Sequence, residues 1–394
     1  MRPPTYVFTN RVYPPVAGAT GLLLRQLAEG LAADGARVVV LTSQGRRDLG
    51  LPQRETIAGV ELVRVGSAPF TRASHARRAL SYAGLYPQFA WQLRRLGAVD
   101  AVVSMTDPPL QIAAISPASP RGTSRIHWAQ DLYPELAENL GVLRPSGWMA
   151  QALRALSRRA LKQQDAVVAV GRCMESRLLR RGVDPRRLRV IANWSPVSAA
   201  PVEQVAALRQ SLGWNKNFVV LYSGNLGLAH DFGSLIEAAR LLEPSGARIV
   251  FAGEGPRLEE LCRTVEALPH VSVIPPRPAE ELAAFLGAAD LHLVSIRPDL
   301  AGLLVPSKIY GILAAGRPVL HVGPDEAEAA RLLSESGAGL SFQSGDATGL
   351  ARTVRELISD HARRARLGEN ARRAAEDFTF TKALARWRDV LHHK

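Results

Sequence analysis

The sequence predicts an α/β protein with two doubly wound, parallel-sheet domains that face a cleft. Short apolar runs alternate with helical stretches along almost the whole chain, an order typical of parallel sheets covered by helices on both faces. The alternation breaks at residues 193–202, where proline and small residues cluster as in an interdomain linker, and then restarts. At 394 residues, the chain also exceeds what a single hydrophobic core usually organises.

The first half opens with a strand, a loop, a helix and a second strand. Residues 5–9 form a β-branched and aromatic run, residues 22–33 repeat apolar side chains at helical spacing, and residues 37–42 return to a strand pattern. The later strands of this half are expected at 99–104, 124–130, 166–170 and 188–191. Together these elements predict a first domain over residues 1–197.

The second half repeats the alternation. Its strands are expected at 218–222, 248–252, 271–274, 291–296, 318–322 and 339–342. Its helices are expected near 233–243, 257–267, 279–287, 308–315 and 325–336, and two charged stretches, 347–375 and 379–392, are expected to be helical. These elements predict a second domain over residues 198–375 and a helical tail over residues 376–394.

Charge is distributed unevenly between the halves. The formal net charge is +13; residues 1–198 carry 27 Lys and Arg against 13 Asp and Glu, whereas residues 199–394 carry 22 against 23. A basic first half favours nucleic acid, an acidic lipid surface or a phosphorylated ligand, although solvated arginine-rich faces explain the same excess. Two cysteines, no apolar leader and no apolar run of about 18 residues predict a cytoplasmic protein without disulfides.

Loops that follow strands are the candidate site, because ligands of open parallel sheets bind beyond the carboxyl ends of the strands. Gly18 and Ala19 lie where a loop meets a helix start, which favours an anion but also suits a plain turn. Asp131 follows the strand at 124–130, where a carboxylate can accept a hydroxyl proton or cap the next helix. His127 precedes it on that strand, and a buried core histidine is the competing interpretation.

The second half contains two short glycine-rich turns, each between a strand and a helix. Free N–H groups and the positive end of a helix dipole make such turns suited to a diphosphate, although short glycine turns are common. The candidate ligand-binding residues on these turns are Gly224, Asn225, Gly253, Glu254 and Gly255.

The stretch PSKIYGILAAGRPVL, residues 306–320, is the most specific motif. Ser307 is expected to cap a helix whose first turn holds Lys308. A cation in a first turn is unfavourable unless an anion binds beside it, so a phosphate ligand is preferred over a solvated lysine. No Asp-x-Asp, His-Glu-x-x-His, cysteine pair or calcium loop occurs, so neither a metal nor another cofactor is expected.

Taken together, these segments resemble a family-4, GT-B-type retaining glycosyltransferase over nearly the whole chain. The matching stretches are YPPVAGATGLLLRQLAEGLAADGARVVVLT, HWAQDLYPE, DAVVAVGRCMESRLLRRGVDPRRLRVIANW, LYSGNLGLAHDFGSLIEAA, VFAGEGP and PSKIYGILAAGRPVL. The last stretch is similar to the aminosugar transferases of bacterial O-antigen and capsule assembly, in particular their fucosaminyl-transferase-like branch.

The resemblance implies a Rossmann-like acceptor domain, a Rossmann-like nucleotide-sugar domain and a final helix that returns to the first domain. It implies that Gly224–Asn225 and Gly253–Gly255 line the donor and that Lys308 neutralises the leaving diphosphate. Asp131 would then orient acceptor or sugar hydroxyl groups, and the other first-half candidates fall on the acceptor side. Retention without an enzyme nucleophile implies front-face attack, in which the leaving phosphate helps to deprotonate the acceptor.

One departure from the family pattern concerns its Glu-x7-Glu pair, which would fall at Leu303 and Gly311, neither of them acidic. The ribose is then expected to be held differently, with Ser307 as a candidate, and Asp299 stands near the first position of the missing pair. The departure leaves a non-catalytic, sugar-nucleotide-binding scaffold open as an alternative function.

A basic and aromatic segment in the first half suits an anionic bilayer, where aromatic rings lie at the level of the headgroups. It predicts peripheral attachment at the inner face of the cell membrane; an arginine-rich helix with aromatic core residues is the competing interpretation. The residues concerned are Phe70, Arg72, Arg77, Arg78, Tyr82, Tyr86, Phe89, Trp91, Arg94 and Arg95.

The sequence therefore predicts a metal-independent retaining glycosyltransferase of surface polysaccharide assembly. The expected donor is a UDP-linked sugar, with an N-acetylated hexosamine favoured, and the expected acceptor is a polyprenyl-diphosphate-linked saccharide. A transferase acting on a soluble small-molecule acceptor is the alternative within enzymes. Nucleic-acid binding is ranked last, because the sequence contains no recognition motif for it.

Overall fold

The computed structural model describes residues 2–16, 18–45, 49–66 and 75–392. It divides into two compact α/β units. The first comprises Met1–Ala192, Gly302–Leu304 and Phe380–Lys394, and the second comprises Asn193–Ala301 and Val305–Thr379. The predicted fold class, two doubly wound domains with parallel sheets, is confirmed.

Within its described residues, the first unit contains an eight-stranded sheet. The strands are β1 (Thr5–Thr9), β2 (Arg37–Ser43), β3 (Arg54–Ile57), β4 (Val60–Val65), β5 (Ala101–Ser104), β6 (Ser124–Ala129), β7 (Ala166–Ala169) and β8 (Leu188–Val190). They lie in the order β3-β4-β2-β1-β5-β6-β7-β8, and all neighbours are parallel except β3 and β4.

The centre of this sheet explains why its strands could be recognised from the sequence. All five residues of β1 are buried, and Val7 pairs with Val39 of β2 on one side and Val102 of β5 on the other. Strands that are covered on both faces carry continuous apolar runs. Because β1, β5 and β6 are parallel, the residues that follow them, Asn10, Met105 and Gln130, leave the sheet at the same edge.

A β-hairpin at residues 54–65 was not expected from the sequence. β3 and β4 pair antiparallel, with Ile57 opposite Val60, and the turn residues Ala58 and Gly59 have φ angles of 48° and 80°. Two left-handed residues in a two-residue turn match the right-handed twist of a hairpin. The prediction missed it because β3 is an edge strand with little buried surface, and alanine is an unusual residue for such a turn.

Seven helices of the first unit lie within the described residues. They are α1 (Ala19–Ala33), α2 (His75–Arg95), α3 (Ile112–Ala118), α4 (Glu135–Asn139), α5 (Trp148–Lys162), α6 (Arg172–Arg180) and the last helix of the chain, α15 (Phe380–His392). α15 packs on this unit through the fully buried Trp387, whose ring centroid lies 4.8 Å from that of Trp128. Arg388 also forms an ion pair with Asp34 over 2.6 Å.

The second unit, described over all of residues 193–379, contains a six-stranded parallel sheet in the order β11-β10-β9-β12-β13-β14. These strands are β9 (Phe218–Ser223), β10 (Ala247–Ala252), β11 (Val271–Ile274), β12 (Leu291–Ser295), β13 (Val319–Val322) and β14 (Gly339–Phe342). The helices are α7 (Val202–Ser211), α8 (Phe232–Leu242), α9 (Leu258–Val265), α10 (Leu282–Ala288), α11 (Lys308–Ala314), α12 (Glu328–Ser336), α13 (Ala347–Ser359) and α14 (His361–Ala375).

The charged stretch at 347–375 is divided into two helices rather than one. Asp360 ends α13 and begins α14, and its side chain accepts the N–H of Arg363 over 2.8 Å. An aspartate in this position satisfies an N–H group that the new helix leaves unpaired, so the break is capped. Among the helices of the described residues, none is long and apolar enough to cross a membrane.

We expect Trp387→Ala to lower the free energy of unfolding of the first unit by about 3–5 kcal/mol, because truncation of a fully buried tryptophan leaves a cavity between α15 and β6. Trp91→Ala is the matched control, since the Trp91 side chain is 54% exposed and should cost less than about 1 kcal/mol. Urea unfolding followed by circular dichroism measures both. Equal losses in the two variants would contradict the docking of α15.

Candidate functional site

Two turns of the second unit pack backbone against backbone at the carboxyl ends of β9 and β10. The Gly224 N–H donates to the Ala252 carbonyl over 2.9 Å. A Cβ atom at Gly253 would lie 1.9 Å from the Gly224 carbonyl oxygen, and one at Gly255 would lie 2.4 Å from the Leu226 oxygen. Glycine is therefore required on the second turn, because the backbone of the first turn fills the space.

This packing uses N–H groups that the sequence analysis assigned to a ligand. The Gly224 N–H is occupied by Ala252, and the Gly253 N–H donates to the Ile274 carbonyl over 3.0 Å. The missing side chain of Gly224 instead makes room for Lys308, since a Cβ atom there would lie 3.3 Å from Lys308 Cε and 3.4 Å from Nζ. The two glycine turns and Lys308 are thus brought together at one edge of the sheet.

Lys308 is the first residue of α11, and its ammonium group is buried in the second unit. Nζ lies 3.4 Å from the ring centroid of Tyr222, and among the described residues it has no hydrogen-bond partner. Burial lowers the pKa of the Lys308 ammonium well below its usual range. The competing interpretation of a solvated surface lysine is therefore wrong. A buried, unpaired cation is costly, and a bound anion relieves that cost.

Tyr222 and His230 also belong to this cluster, and the sequence analysis did not single them out. His230 Nδ1 donates to the Ser295 carbonyl over 2.7 Å, and its ring lies edge-on to Tyr222 at 5.6 Å. Burial, followed by the charge of Lys308, lowers the pKa of His230 to about 3, so this histidine is neutral. The available signal for Tyr222 was a second aromatic residue near the end of the strand FVVLYS.

The structure gives different surroundings to the remaining ligand-binding candidates of the second unit. Ser307 precedes α11, but among the described residues its side chain makes no hydrogen bond that caps the helix, so the expected capping role is wrong. Asn225 and Glu254 have exposed side chains on the two turns. Asp299 forms an ion pair with Arg297 over 2.8 Å.

The first unit places Asp131 at the carboxyl end of β6. Its N–H donates to Thr106 Oγ1 over 3.2 Å. Burial, with a smaller contribution from the negative charge of Asp107, raises the pKa of the partly exposed Asp131 carboxyl to about 7. The next helix, α4, begins at Glu135 with Pro134 in the cap position, so the helix-capping interpretation of Asp131 is wrong.

The loop after β5 supports Asp131 through Thr106, and the sequence analysis missed it. Residues 105–109 follow the strand, and Asp107 in this loop forms an ion pair with Arg11 over 2.7 Å. Gln111 donates through Nε2 to the Thr9 and Met105 carbonyls, which ties the loop to β1. The signal was the pair Thr106 and Asp107 close behind a buried strand, the same criterion that had selected Asp131.

His127 is buried two residues before the end of β6. Its Nδ1 donates to the Ser104 carbonyl over 2.9 Å, because a carbonyl oxygen only accepts. Burial lowers the pKa of His127 to about 4, so the ring is neutral. The core interpretation therefore describes its packing, and yet His127 lines the same small cavity as Asp131, together with Ser157 and Leu161 of α5.

Gly18 and Ala19 lie at the start of α1, as expected. Gly18 occupies the cap position, where a Cβ atom would lie 2.9 Å from Val12 Cγ2. Close packing against Val12 is thus one reason for glycine at this position. Neither residue lines the cavity that holds Asp131.

The basic and aromatic segment is only partly described, since Phe70 and Arg72 lie outside the described residues, as do the side chains of Arg77 and Arg78. In the rest of α2, Phe89 is fully buried and Tyr86 donates its hydroxyl to the Pro109 carbonyl over 2.6 Å. Trp91 is exposed and stacks with Arg95, whose guanidinium carbon lies 4.4 Å from the ring centroid. The core interpretation therefore holds for Phe89 and not for Trp91.

Two family models match the chain in tandem. Residues 18–194 match the glycosyl transferase 4-like domain, and residues 204–374 match the domain of glycosyl transferases group 1. The two matches coincide with the two doubly wound units and leave uncovered only the chain ends and a short link. The chain therefore belongs to the GT-B-type glycosyltransferases that combine these two domains.

The chain is similar to two bacterial proteins that are named as glycosyltransferases. The chain is 28% identical over 272 residues to the glycosyltransferase WbjE of Pseudomonas aeruginosa, an alignment that covers 66% of this chain and 64% of WbjE. It is 30% identical over 177 residues to WcaI of Escherichia coli, named as a colanic acid biosynthesis glycosyl transferase, with 43% of each chain covered. The chain thus spans less than two thirds of the length of these relatives.

Solved structures share the fold at low sequence identity. HepE of Anabaena, determined in complex with UDP-glucose, is 17% identical with a TM-score of 0.76, over 98% of this chain and 99% of HepE. Sucrose-phosphate synthase of Thermosynechococcus elongatus is 18% identical with a TM-score of 0.79, over 99% of this chain and 98% of that enzyme.

We expect Gly253→Ala to destabilise the second unit by about 3 kcal/mol, because the added methyl group meets the Gly224 carbonyl and the two turns must separate. Gly84→Ala in α2 is the control: among the described residues nothing lies within 4 Å of its Cβ position, and alanine favours a helix by about 1 kcal/mol. Thermal unfolding measures both variants. A stable Gly253→Ala would argue against the backbone packing of the turns.

We expect Asp131→Asn to raise the unfolding temperature more at pH 8 than at pH 5. Between pH 4 and 7 the folded protein keeps a proton on Asp131 that the unfolded chain has lost, so stability falls as the pH rises through this window. The gain at pH 8 should be on the order of 2 kcal/mol, because partial exposure screens part of the effect.

Asp184→Asn is the control for this pH dependence. The Asp184 carboxylate accepts hydrogen bonds from Arg186, which lower the pKa of Asp184 to about 2, below the window tested. This variant should therefore differ from the wild type by the same amount at pH 5 and pH 8. A pH-independent effect of Asp131→Asn would refute the raised pKa.

Proposed function

We propose that this protein is a metal-independent, retaining glycosyltransferase that moves a sugar from a nucleotide-diphosphate donor to a lipid-linked saccharide during surface polysaccharide assembly. The observation that carries the proposal is the buried ammonium of Lys308 beside the two glycine turns, which has no hydrogen-bond partner in the described part of the chain. A UDP-linked N-acetylated hexosamine is the proposed donor. WcaI is named for colanic acid biosynthesis, which supports the polysaccharide context, and HepE binds UDP-glucose, which supports the uridine nucleotide.

In the proposed reaction, Lys308 stabilises the departing diphosphate. The bond between the anomeric carbon and the diphosphate oxygen breaks, the acceptor oxygen bonds to that carbon from the same face, and the acceptor proton passes to the departing phosphate. Negative charge grows on the diphosphate as the bond breaks, and an ammonium held in advance in a water-poor site stabilises it without reorganisation. Tyr222 keeps the ammonium in place through its ring face, so the cation is positioned before the donor binds.

Asp131 is proposed to orient the acceptor. A carboxyl group whose pKa is about 7 is partly ionised near neutral pH and accepts a hydrogen bond from an acceptor hydroxyl. Thr106 and the Arg11–Asp107 pair hold the loops around it. In this proposal Asp131 need not remove the proton, because the departing phosphate does so.

The test combines a thermal-shift screen of nucleotide sugars with a transfer assay on lipid-linked saccharides. A ligand that binds only the folded protein raises its unfolding temperature, so the screen identifies the donor without knowledge of the acceptor. Stabilisation by UDP-linked N-acetylhexosamines and turnover with a matched acceptor are the expected results. Binding without transfer to any saccharide acceptor would favour the scaffold alternative.

We expect Lys308→Met to reduce turnover by about 10²–10³-fold and to remove the donor-induced thermal shift. Without ligand, the same variant should unfold at a higher temperature than the wild type, because a buried unpaired ammonium is replaced by an apolar side chain of similar length. Lys216→Met, at an exposed lysine of the same unit, is the control and should leave turnover and donor binding unchanged. Wild-type kinetics in Lys308→Met would exclude the phosphate role.

A further inference from the structure

Large apolar side chains are exposed together on α5 and the turn that precedes it. Trp148 is 78% exposed, Met149 is 49% exposed, Leu156 is 42% exposed, and Val142 in the preceding turn is 47% exposed. A scattered apolar residue on a surface needs no explanation, but four large ones within fifteen residues, three of them on one helix, indicate an interaction site.

Helical spacing places the three exposed apolar side chains of α5 on one face of the helix. Trp148, Ala152 and Leu156 are four residues apart, and Met149 and Arg159 fall within the same sector at 100° per residue. The opposite face is buried through Ala150, Ser157, Ala160 and Leu161. We call the exposed sector, formed by Trp148, Met149, Ala152, Leu156 and Arg159, the outer face of α5.

The charges around the outer face have one sign. Residues 141–164 contain five cations and no carboxylate. Arg154 is partly exposed, and its ion pair with the buried Glu138, over 2.9 Å, balances its charge. The other four cations, all exposed, are Arg144, Arg158, Arg159 and Lys162. The outer face therefore combines apolar side chains with unbalanced positive charge.

We propose that the outer face of α5 docks on an anionic lipid bilayer. An interfacial helix has one apolar face with tryptophan and leucine, which enters the boundary between headgroups and acyl chains, and lysine and arginine beside it, which bind anionic headgroups. Trp148 and Met149 enter that boundary, and Arg158, Arg159 and Lys162 bind the lipid phosphates. The absence of carboxylates in residues 141–164 is the charge complementarity that favours an anionic bilayer over a neutral one.

The buried face of α5 lines the small cavity that contains Asp131. Ser157 and Leu161 line the cavity that also contains Asp131 and His127, and Ser157 Oγ donates to the Tyr133 carbonyl over 3.2 Å. A helix with side chains is about 10–12 Å across. The next step alone rests on the proposed function. With a lipid-linked saccharide as the acceptor, α5 would hold Asp131 about one helix diameter from the headgroups, which is where that saccharide begins.

This surface differs from the one that the sequence analysis selected. In α2, Phe89 is buried, and Trp91 is stacked on Arg95. Trp91 and Trp148 are thus two exposed tryptophans on two basic helices of one unit. Trp148 has a second large exposed apolar residue, Met149, directly beside it, whereas the neighbours of Trp91 in sequence are Ala90 and Gln92. The two tryptophans provide a matched pair of positions for a test.

The experiment is co-sedimentation of the full chain with vesicles of phosphatidylcholine alone and of phosphatidylcholine with 30% phosphatidylglycerol, at low and high salt. We expect the wild type to bind the anionic vesicles, with binding that falls as salt rises. The double variant Trp148→Ser/Met149→Ser and the double variant Arg158→Gln/Arg159→Gln should each reduce partitioning by about tenfold or more. Trp91→Ser should change it less than twofold.

The alternative occupants of the outer face give different results. Equal binding to neutral and anionic vesicles, or binding that the α5 variants leave intact, would overturn the proposal. Self-association that Trp148→Ser abolishes, without vesicle binding by the wild type, would assign the face to a second copy of the chain. Thermal shifts with nucleotide sugars in the same variants separate this surface from the proposed function: unchanged donor binding with lost vesicle binding supports the docking role alone.

Discussion

Parallel pairing of the strands is the constraint on which both residue clusters depend. In a parallel sheet every strand ends at the same edge, so loops far apart in sequence become neighbours there. In the second unit this brings the turns after β9 and β10 into backbone contact and places Lys308 against Tyr222. In the first unit it brings the loops after β1, β5 and β6 around Asp131.

Each unit holds one ionisable side chain whose charged form is destabilised by burial. Burial raises the pKa of Asp131 to about 7 and lowers the pKa of the Lys308 ammonium well below its usual range. A fold tolerates such groups because its many apolar contacts outweigh a few costly ones, and a ligand of opposite charge or a hydrogen-bond donor relieves the cost on binding. The two opposite shifts match the two chemical tasks proposed here, acceptance of a hydroxyl hydrogen bond and stabilisation of a diphosphate.

Much of the fold was predictable, and the exceptions have physical reasons. The central strands were recognised because burial on both faces requires continuous apolar runs, as in β1. The hairpin of β3 and β4 was missed because an exposed edge strand needs no such run. Ser307 was expected to cap α11, but a cap depends on side-chain geometry that residue type alone does not determine. Tyr222 and His230 were missed because their role depends on Lys308, which is distant in sequence: Tyr222 contacts its ammonium, and His230 lies within reach of its charge.

The sequence by itself determined the two α/β units, the family and the positions of Asp131, Lys308 and the glycine turns, because strand periodicity, loop placement and motif order are local properties of the chain. Only the tertiary structure decided what these residues are surrounded by. It showed that the Gly224 N–H is occupied, that the Lys308 ammonium is buried, and that α5 leaves Trp148 exposed. Burial and exposure follow from packing between elements distant in sequence, which no local pattern specifies.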